Sequence, residues 1–589
     1  MSHREDLATA PNSSTDAARP SRFGTPTWLA GASALDVFAG IVAFALPVAI
    51  APAMDSYTFT PKLAVLLVLS AVGLPQLVRL ACAGERVAWA AVAFLAVALV
   101  SAATSGSVLV GLFGMYLTGT GWFFWCAVAG AWALGRSLRS RGTELVTAGL
   151  VAGAVVNALV TIAQQALQLD SPVLGLYQGT QADGLMGNPI FLESVLLGAL
   201  AIALVHTCAG RWRWALIAVL LSASLELSGE RFAIALLGVL AAWALVVHRN
   251  RSSLVFTGAI ALGYVVTYGF SSSLLHERIA RNVVSNPRVT LWKSLFSALA
   301  HHPILGFGPA QTLQASTAYG SLALARRLAV ATYFTDAHDV LLEVAVTTGL
   351  IGLTAFVAFA GGGLRASSGP LLGAACMALA VEFVEPLNVG VTPLAFLALG
   401  AAAKASGRHQ STGRGVSLRL TTAILVACAI CASGAMLYGD YELNSALLGF
   451  RYPTASRGAH ILSVWSAPAL IAAEIAENRS IALPDRRHWL LITRHWHAVA
   501  VSREPTNTQL WAGLAGTDAE LGNLRTSASE YATALRLDRF DTEALVGLAR
   551  VDAERGQRSR ALELLGQALA TAPGYSPAAA LRSELDASR

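Results

Sequence analysis

The stretch Asp336–Gly352, DAHDVLLEVAVTTGLIG, sets a histidine between two aspartates just before an apolar run long enough to enter a membrane. An imidazole titrates near neutrality, so His338 has the chemistry of a base that takes a proton from a hydroxyl and gives it up again. Its neighbour Asp339 either raises that pKa or caps the helix that follows. Arg231 stands between two apolar segments, where a charge is costlier, and so more often functional, than in a cytosolic loop, although an arginine at a helix end also snorkels. Arg288 opens a segment in which Trp292, Leu295, Phe296 and Leu299 recur at helical spacing, the pattern of a short amphipathic helix lying on a membrane surface. Guanidinium groups in such places hold anions through fixed, paired donors. Arg278 and Arg281 add two further cations to this segment, while Glu193 and Glu343 put carboxylates near the ends of apolar runs, where they suit hydroxyl ligands or interhelical contacts. The adjacent His301 and His302 point in different directions on a helix and make a poor chelate, so no metal site is expected of them.

These residues need a scaffold, and the composition says which kind. Of 589 residues 55% are hydrophobic and 13% charged, with a mean hydropathy of +0.57, which excludes an ordinary soluble enzyme and indicates an all-α polytopic membrane protein. The net charge of +6 is scattered in short clusters between apolar runs, a pattern of membrane topology that argues against a nucleic-acid partner. About 12–13 apolar runs have the length of a membrane helix, with cores beginning near Gly31, Lys62, Val87, Gly119, Glu144, Pro189, Arg213, Phe232, Leu254, Val340, Pro370, Val391 and Leu418. Alternate connections hold the basic residues, among them Arg79, Arg86, Arg136, Arg139, Arg249, Arg251, Arg365, Lys404 and Arg408, and are expected to be cytosolic. Basic residues on the other side, at Lys62, Arg231 and from Arg278 to Arg327, run against that bias. Six cysteines lie in or beside apolar runs without paired metal spacing and are expected to be packing residues.

The expected organisation is a polar cytosolic tail without a removable signal peptide (1–30), nine membrane helices (31–270), a large outer loop with the amphipathic helix (271–339), three more helices (340–403), a cytosolic linker (404–417), a thirteenth helix (418–438) and an outer helical-repeat domain (439–589). The last assignment rests on self-similarity: WAGLAGTDAELG from Trp511 recurs as LVGLARVDAERG from Leu545, with Gly522 answering Gly556 and Ala534 answering Ala568. That period, with Pro573 after the second unit, is the tetratricopeptide pattern. Two such units with a less regular helical stretch from Tyr441 to Ser502 make a small solenoid, suited to a protein partner.

Four segments occur in order: GLMGNPIFLESVLLG (Gly184–Gly198), SGERFAIAL (Ser228–Leu236), NPRVTLWKSLFSALAHHPILGFGP (Asn286–Pro309) and AHDVLLEVAVTTGLIGL (Ala337–Leu353). Together they resemble the superfamily of O-antigen ligases, Wzy-type O-antigen polymerases and bacterial protein O-oligosaccharyltransferases. The resemblance implies transfer of a glycan from a polyprenyl diphosphate carrier to an acceptor hydroxyl at the outer face of the bacterial cytoplasmic membrane, with no metal, nucleotide or other cofactor. It further implies that Arg231 and Arg288 stabilise the departing diphosphate and that His338 activates the acceptor. Arg278, Arg281, Glu193, Asp339 and Glu343 would then bind diphosphate, lipid headgroup or sugar hydroxyls. The chain departs from the pattern at Asp339, where asparagine is common. Glycan, lipid and protein acceptors all remain open, as does a non-enzymatic lipid-glycan transporter, although no internal duplication of the transporter kind is present.

Overall fold

The computed structural model describes residues 31–169, 171, 173–271, 287–328, 330–403 and 415–587, with the side chains of 415–419 excepted. Among them there are helices and two isolated bridges but no strand. Every expected apolar core falls on a helix: α1 (Ala34–Val48), α2 (Phe59–Cys82), α3 (Arg86–Ala103), α4 (Trp122–Arg136), α5 (Ser140–Leu167), α6 (Pro189–Cys208), α7 (Arg213–Ser228), α8 (Arg231–Trp243, with a π turn to His248) and α9 (Arg251–Tyr268). After α10 (Arg288–His301) come α11 (Val340–Ala366), α12 (Pro370–Glu382), α13 (Thr392–Ala401) and α14 (Gly415–Gly449). Seven of these are long and apolar enough to cross a membrane, namely α2, α3, α5, α6, α8 with its π turn, α11 and the Leu420–Gly449 part of α14.

Small residues let the shorter helices pack inside the bundle. A Cβ on Gly400 of α13 would lie 2.1 Å from the Trp132 carbonyl of α4, so the two backbones touch. Such close approach drives association where lipid removes the hydrophobic difference between helix faces. Trp125 and Trp132 of α4 are buried outright, which makes α4 a central strut. Arg79, Arg86, Arg136 and Arg365 all lie at helix termini on one end of the bundle, and Glu85 pairs with Arg136 there at 2.9 Å. The candidate functional residues lie at the other end.

At that other end the loop before α11 is built into the bundle. Gly349 interrupts α11 with φ +70°, and a Cβ there would sit 2.0 Å from the Ile304 carbonyl. The N–H groups of Phe307 and Gly308 donate to the freed carbonyls of Val346 and Thr347 at 3.0 and 2.8 Å, and Leu350 N–H donates to Pro303. A broken membrane helix is tolerated where other protein backbone satisfies it. Ser101 of α3 adds its hydroxyl to the carbonyls of Leu305 and Thr347. The HPILGFGP segment thus does more than end α10 and turn the chain. The apolar spacing of α10 also resolves differently from expectation: Leu291, Leu295 and Ala298 face a small core with Phe307, Ala337 and Val346, whereas Phe296 is 59% exposed. Likewise Cys82, Cys428 and Cys431 are exposed, so packing accounts only for the buried Cys126 and Cys208 and the half-buried Cys376.

The last part of the chain is a stack of paired helices, α15 (Tyr452–Ile461), α16 (Ala467–Ala482), α17 (Arg486–Arg503), α18 (Thr508–Glu520), α19 (Leu524–Leu537), α20 (Thr542–Glu554), α21 (Arg558–Thr571) and α22 (Ser576–Ala587). The repeat is visible atom by atom. Asn507 and Asp541 cap α18 and α20, Gly522 and Gly556 turn each pair at φ +82° and +78°, and Ala534 and Ala568 are fully buried. The stack stands on the same end of the bundle as the loop: Asp440 of α14 accepts from Ser56 N–H and from the Tyr116 hydroxyl, and Ser107 donates to Arg503 O.

Candidate active site

Helix ends and one tight turn bring the polar groups together. Arg288 is the first residue of α10, and its guanidinium forks onto the carboxylate of Glu385, just past α12, at 3.2 and 2.8 Å, with a third bond to Val384 O at 2.6 Å. Glu193, the fifth residue of α6 and fully buried, lies within electrostatic reach of Arg288, Glu385 and Glu230. Glu230 precedes α8 and accepts from the Gln181 amide at 2.8 Å. Arg231 is the first residue of α8 and half-buried at the same end. Arg278 and Arg281 lie outside the described residues.

His338 occupies the left-handed region at φ +53°, uncommon for a residue with a side chain. Asp336 holds that turn, its Oδ1 accepting the His338 N–H at 2.6 Å and its Oδ2 the Leu387 N–H at 3.3 Å. Trp292 of α10 donates its indole N–H to Ala337 O at 2.8 Å, so the helix bearing Arg288 also clamps the histidine segment. Strain of this kind clusters where a side chain must be aimed. The imidazole Nδ1 lies 3.2 Å from Asp336 O; a carbonyl only accepts, so Nδ1 bears the proton and Nε2 keeps its lone pair. Phe334 meets the ring edge to face at 5.5 Å.

Burial, followed by the positive charge of Arg288, lowers His338 to about 4. The expectation that an adjacent carboxylate would raise it therefore fails: Asp339 turns its Oδ1 to the Leu342 N–H at 2.8 Å and caps α11. Burial pushes Asp336 up, against the pull of the two N–H donors. Glu385 is likewise pushed up by burial to about 7, against the Arg288 fork. Glu343 accepts through one oxygen from Thr312 and from Ala337 N–H, both at 2.8 Å, which makes it a staple of the loop in place of a ligand group. His301 and His302 pack on Tyr319 and Phe307, and no three His, Cys, Asp or Glu side chains among the described residues are grouped to hold a metal ion.

Sequence reasoning passed over Glu385, Glu230 and Asp336 as site residues. Two glutamates at the end of an apolar run, in VEFVEP, were a readable mark of a functional helix end. The site sets His338, in a strained turn, within electrostatic reach of the Arg288 guanidinium and among the carboxylates of Asp336, Glu385 and Glu193. It can accept a hydroxyl proton on one side and stabilise an anionic leaving group on the other.

Residues 216–357 match the protein-family model described as O-antigen ligase, a span that holds Arg231, Arg288 and His338 and stops short of Glu385. No curated protein matches the chain. Among solved structures, the crystal structure of the APC/C hetero-tetramer Cut9-Hcn1 aligns at 10% identity over 78% of this chain and 76% of that one, with a TM-score of 0.23, too low to support an argument.

Proposed function

We propose that the chain, whose residues 216–357 match the O-antigen ligase model, acts as a member of the O-antigen ligase and polymerase superfamily and moves a glycan from a polyprenyl diphosphate carrier to an acceptor hydroxyl at the outer face of the bacterial cytoplasmic membrane. The family makes it a multi-pass membrane protein of the glycosyl-transfer type. The observation that carries the finer reading is the convergence of His338 and Arg288, joined through Trp292 and Asp336. The gathering of Arg79, Arg86, Arg136 and Arg365 at the opposite end supports an outward-facing site.

In the reaction the acceptor oxygen attacks the anomeric carbon while its proton passes to Nε2 of His338. The bond from that carbon to the diphosphate breaks, and polyprenyl diphosphate leaves with the electron pair. Arg288, with Arg231 at the neighbouring helix end and Arg278 and Arg281 in the preceding segment, stabilises that charge. Donor binding also prepares the base. A diphosphate against Arg288 cancels the positive charge that depresses His338, so the imidazole gains basicity when a donor is in place. The site uses no metal and no cofactor in this reading.

Release of polyprenyl diphosphate from a carrier-linked oligosaccharide in proteoliposomes tests the proposal. Wild type should turn over, and His338→Ala and Arg288→Ala, at equal folded yield, should each lose about 100-fold or more. Variants that match wild type would return His338 to a structural role and favour the transporter reading.

A further inference from the structure

A cleft of about 590 Å³, counting its share of open solvent, lies where the repeat domain meets the loop before α11. One wall is the loop from Ser316 to Phe334. The other is made by equivalent positions of two successive repeats, Asp538–Thr542 from the end of α19 to the start of α20 and Thr571–Ala572 at the end of α21. The walls are joined: Arg326 donates to Ala570 O at 2.8 Å, Gln509 to Ala331 O at 3.2 Å, and the Tyr333 hydroxyl lies beside the Asp541 carboxylate. Phe334 belongs to both places, lining the cleft and touching the His338 ring.

From this placement we infer that the cleft binds the acceptor, and that the acceptor end it takes is an uncharged saccharide. The inference rests on the glycan-transfer reading above. Asp538 is buried and uses Oδ1 on Phe540 N–H at 2.9 Å, leaving Oδ2 with no further partner among the described residues. A carboxylate oxygen so placed accepts strongly from a ligand hydroxyl. Ser321, Thr332 and Thr542 line the same space, and Tyr333, Phe334 and Phe540, the last with Arg539 stacked over its ring at 4.7 Å, bring aromatic surface for sugar C–H groups. No Lys or Arg is among the lining residues; Arg326 and Arg539 at the rim turn to the carbonyls of Ala570 and Gly320, which leaves Asp538 and Asp541 to disfavour a phosphorylated or acidic glycan inside. A polypeptide is usually taken on a strand edge or in a long apolar groove, and the cleft presents neither.

Thr332 is exposed at the cleft, so Thr332→Trp fills it from the solvent side without disturbing the core. Full-length protein in nanodiscs would be tested on an array of short neutral oligosaccharides of hexose, deoxyhexose and N-acetylhexosamine units, beside Ser/Thr-containing peptides. In parallel, carrier-linked neutral oligosaccharide would be followed for release of polyprenyl diphosphate to water and for transfer. Thr332→Trp should weaken saccharide binding and raise the acceptor KM about ten-fold each, with release to water unchanged. Asp538→Asn, which keeps the Phe540 contact, should weaken binding in the same direction. Saccharide binding that depends on Thr332 in a protein that releases no polyprenyl diphosphate would uphold the cleft and sink the transfer reading. A cleft that binds no neutral saccharide, binds the peptides in its place, or leaves the acceptor KM untouched when filled overturns the inference.

Discussion

Arg288 holds Glu385 in the folded protein and, in the proposed reaction, meets the diphosphate; a double-mutant cycle separates the two roles. The Glu385 side chain is 7% exposed and that of Arg288 25%, with Asp336, Glu193 and Glu230 nearby. Removing one partner of a buried ion pair strands the other, and with the partial exposure of the arginine discounted, Arg288→Ala should cost about 2–3 kcal/mol. Glu385→Gln in the same background removes the stranded charge and should return about half of that, since a neutral amide tolerates burial beside carboxylates better than a carboxylate does. Transfer should respond otherwise. Arg288→Ala should lower it about 100- to 1,000-fold and the double variant should stay as low, because the leaving group has lost its donor in both. Glu385→Gln alone keeps the guanidinium and should stay within about ten-fold of wild type. Thermal unfolding in detergent and polyprenyl diphosphate release, measured on all four proteins, give the two cycles. If stability and transfer recover together in the double variant, Arg288 acts only by holding the site together and the assignment to the leaving group is wrong.

Further outcomes follow from the imidazole and from the helix break. Because His338 is held near 4, the neutral form dominates above that pH, and the acid limb of kcat/KM should fall near pH 4, well below an ordinary histidine. The acid limb of kcat should lie higher, since bound donor neutralises Arg288; coincident limbs would refute donor-dependent activation. A depressed histidine favours the folded state in its neutral form, so that contribution is complete above pH 6.5 and is lost as pH falls toward 4. The loss is on the order of 3 kcal/mol and should be missing in His338→Ala, measured by unfolding across that window. Gly349→Ala forces a Cβ onto the Ile304 carbonyl at positive φ and should cost about 3 kcal/mol or more, whereas Gly361→Ala, with open space in the same helix, should be neutral; equal melting temperatures would count against the break.

Local patterns read well and distant partnerships did not. The repeat is legible because each unit writes the same cap, turn glycine and buried alanine, as at Asn507 and Asp541. Apolar runs mark the bundle helices for a similar reason, since lipid demands long uninterrupted segments. His338 and Arg288 stand out as candidates through the ordered motifs that carry them. Glu385 was not, because it stands 97 residues from Arg288 and only tertiary packing makes them partners. Asp339 had two readings in sequence, and only the direction of its carboxylate toward Leu342 N–H decides for the cap. Phe296 fits the helical spacing of α10 equally well on either side; the buried face is chosen by Phe307 and Val346, which no local pattern announces.

The break at Gly349 also bears on how the protein is made. In lipid a chain segment keeps its carbonyls paired by remaining an unbroken helix, so α11 has no reason to open at Gly349 until Phe307 and Gly308 arrive to take over Val346 and Thr347. The segment that supplies them is synthesised earlier and has nothing to dock on until α11 lies across the bilayer. Docking of that segment, which also carries the Trp292 clamp on the turn at His338, therefore waits on the insertion of α11.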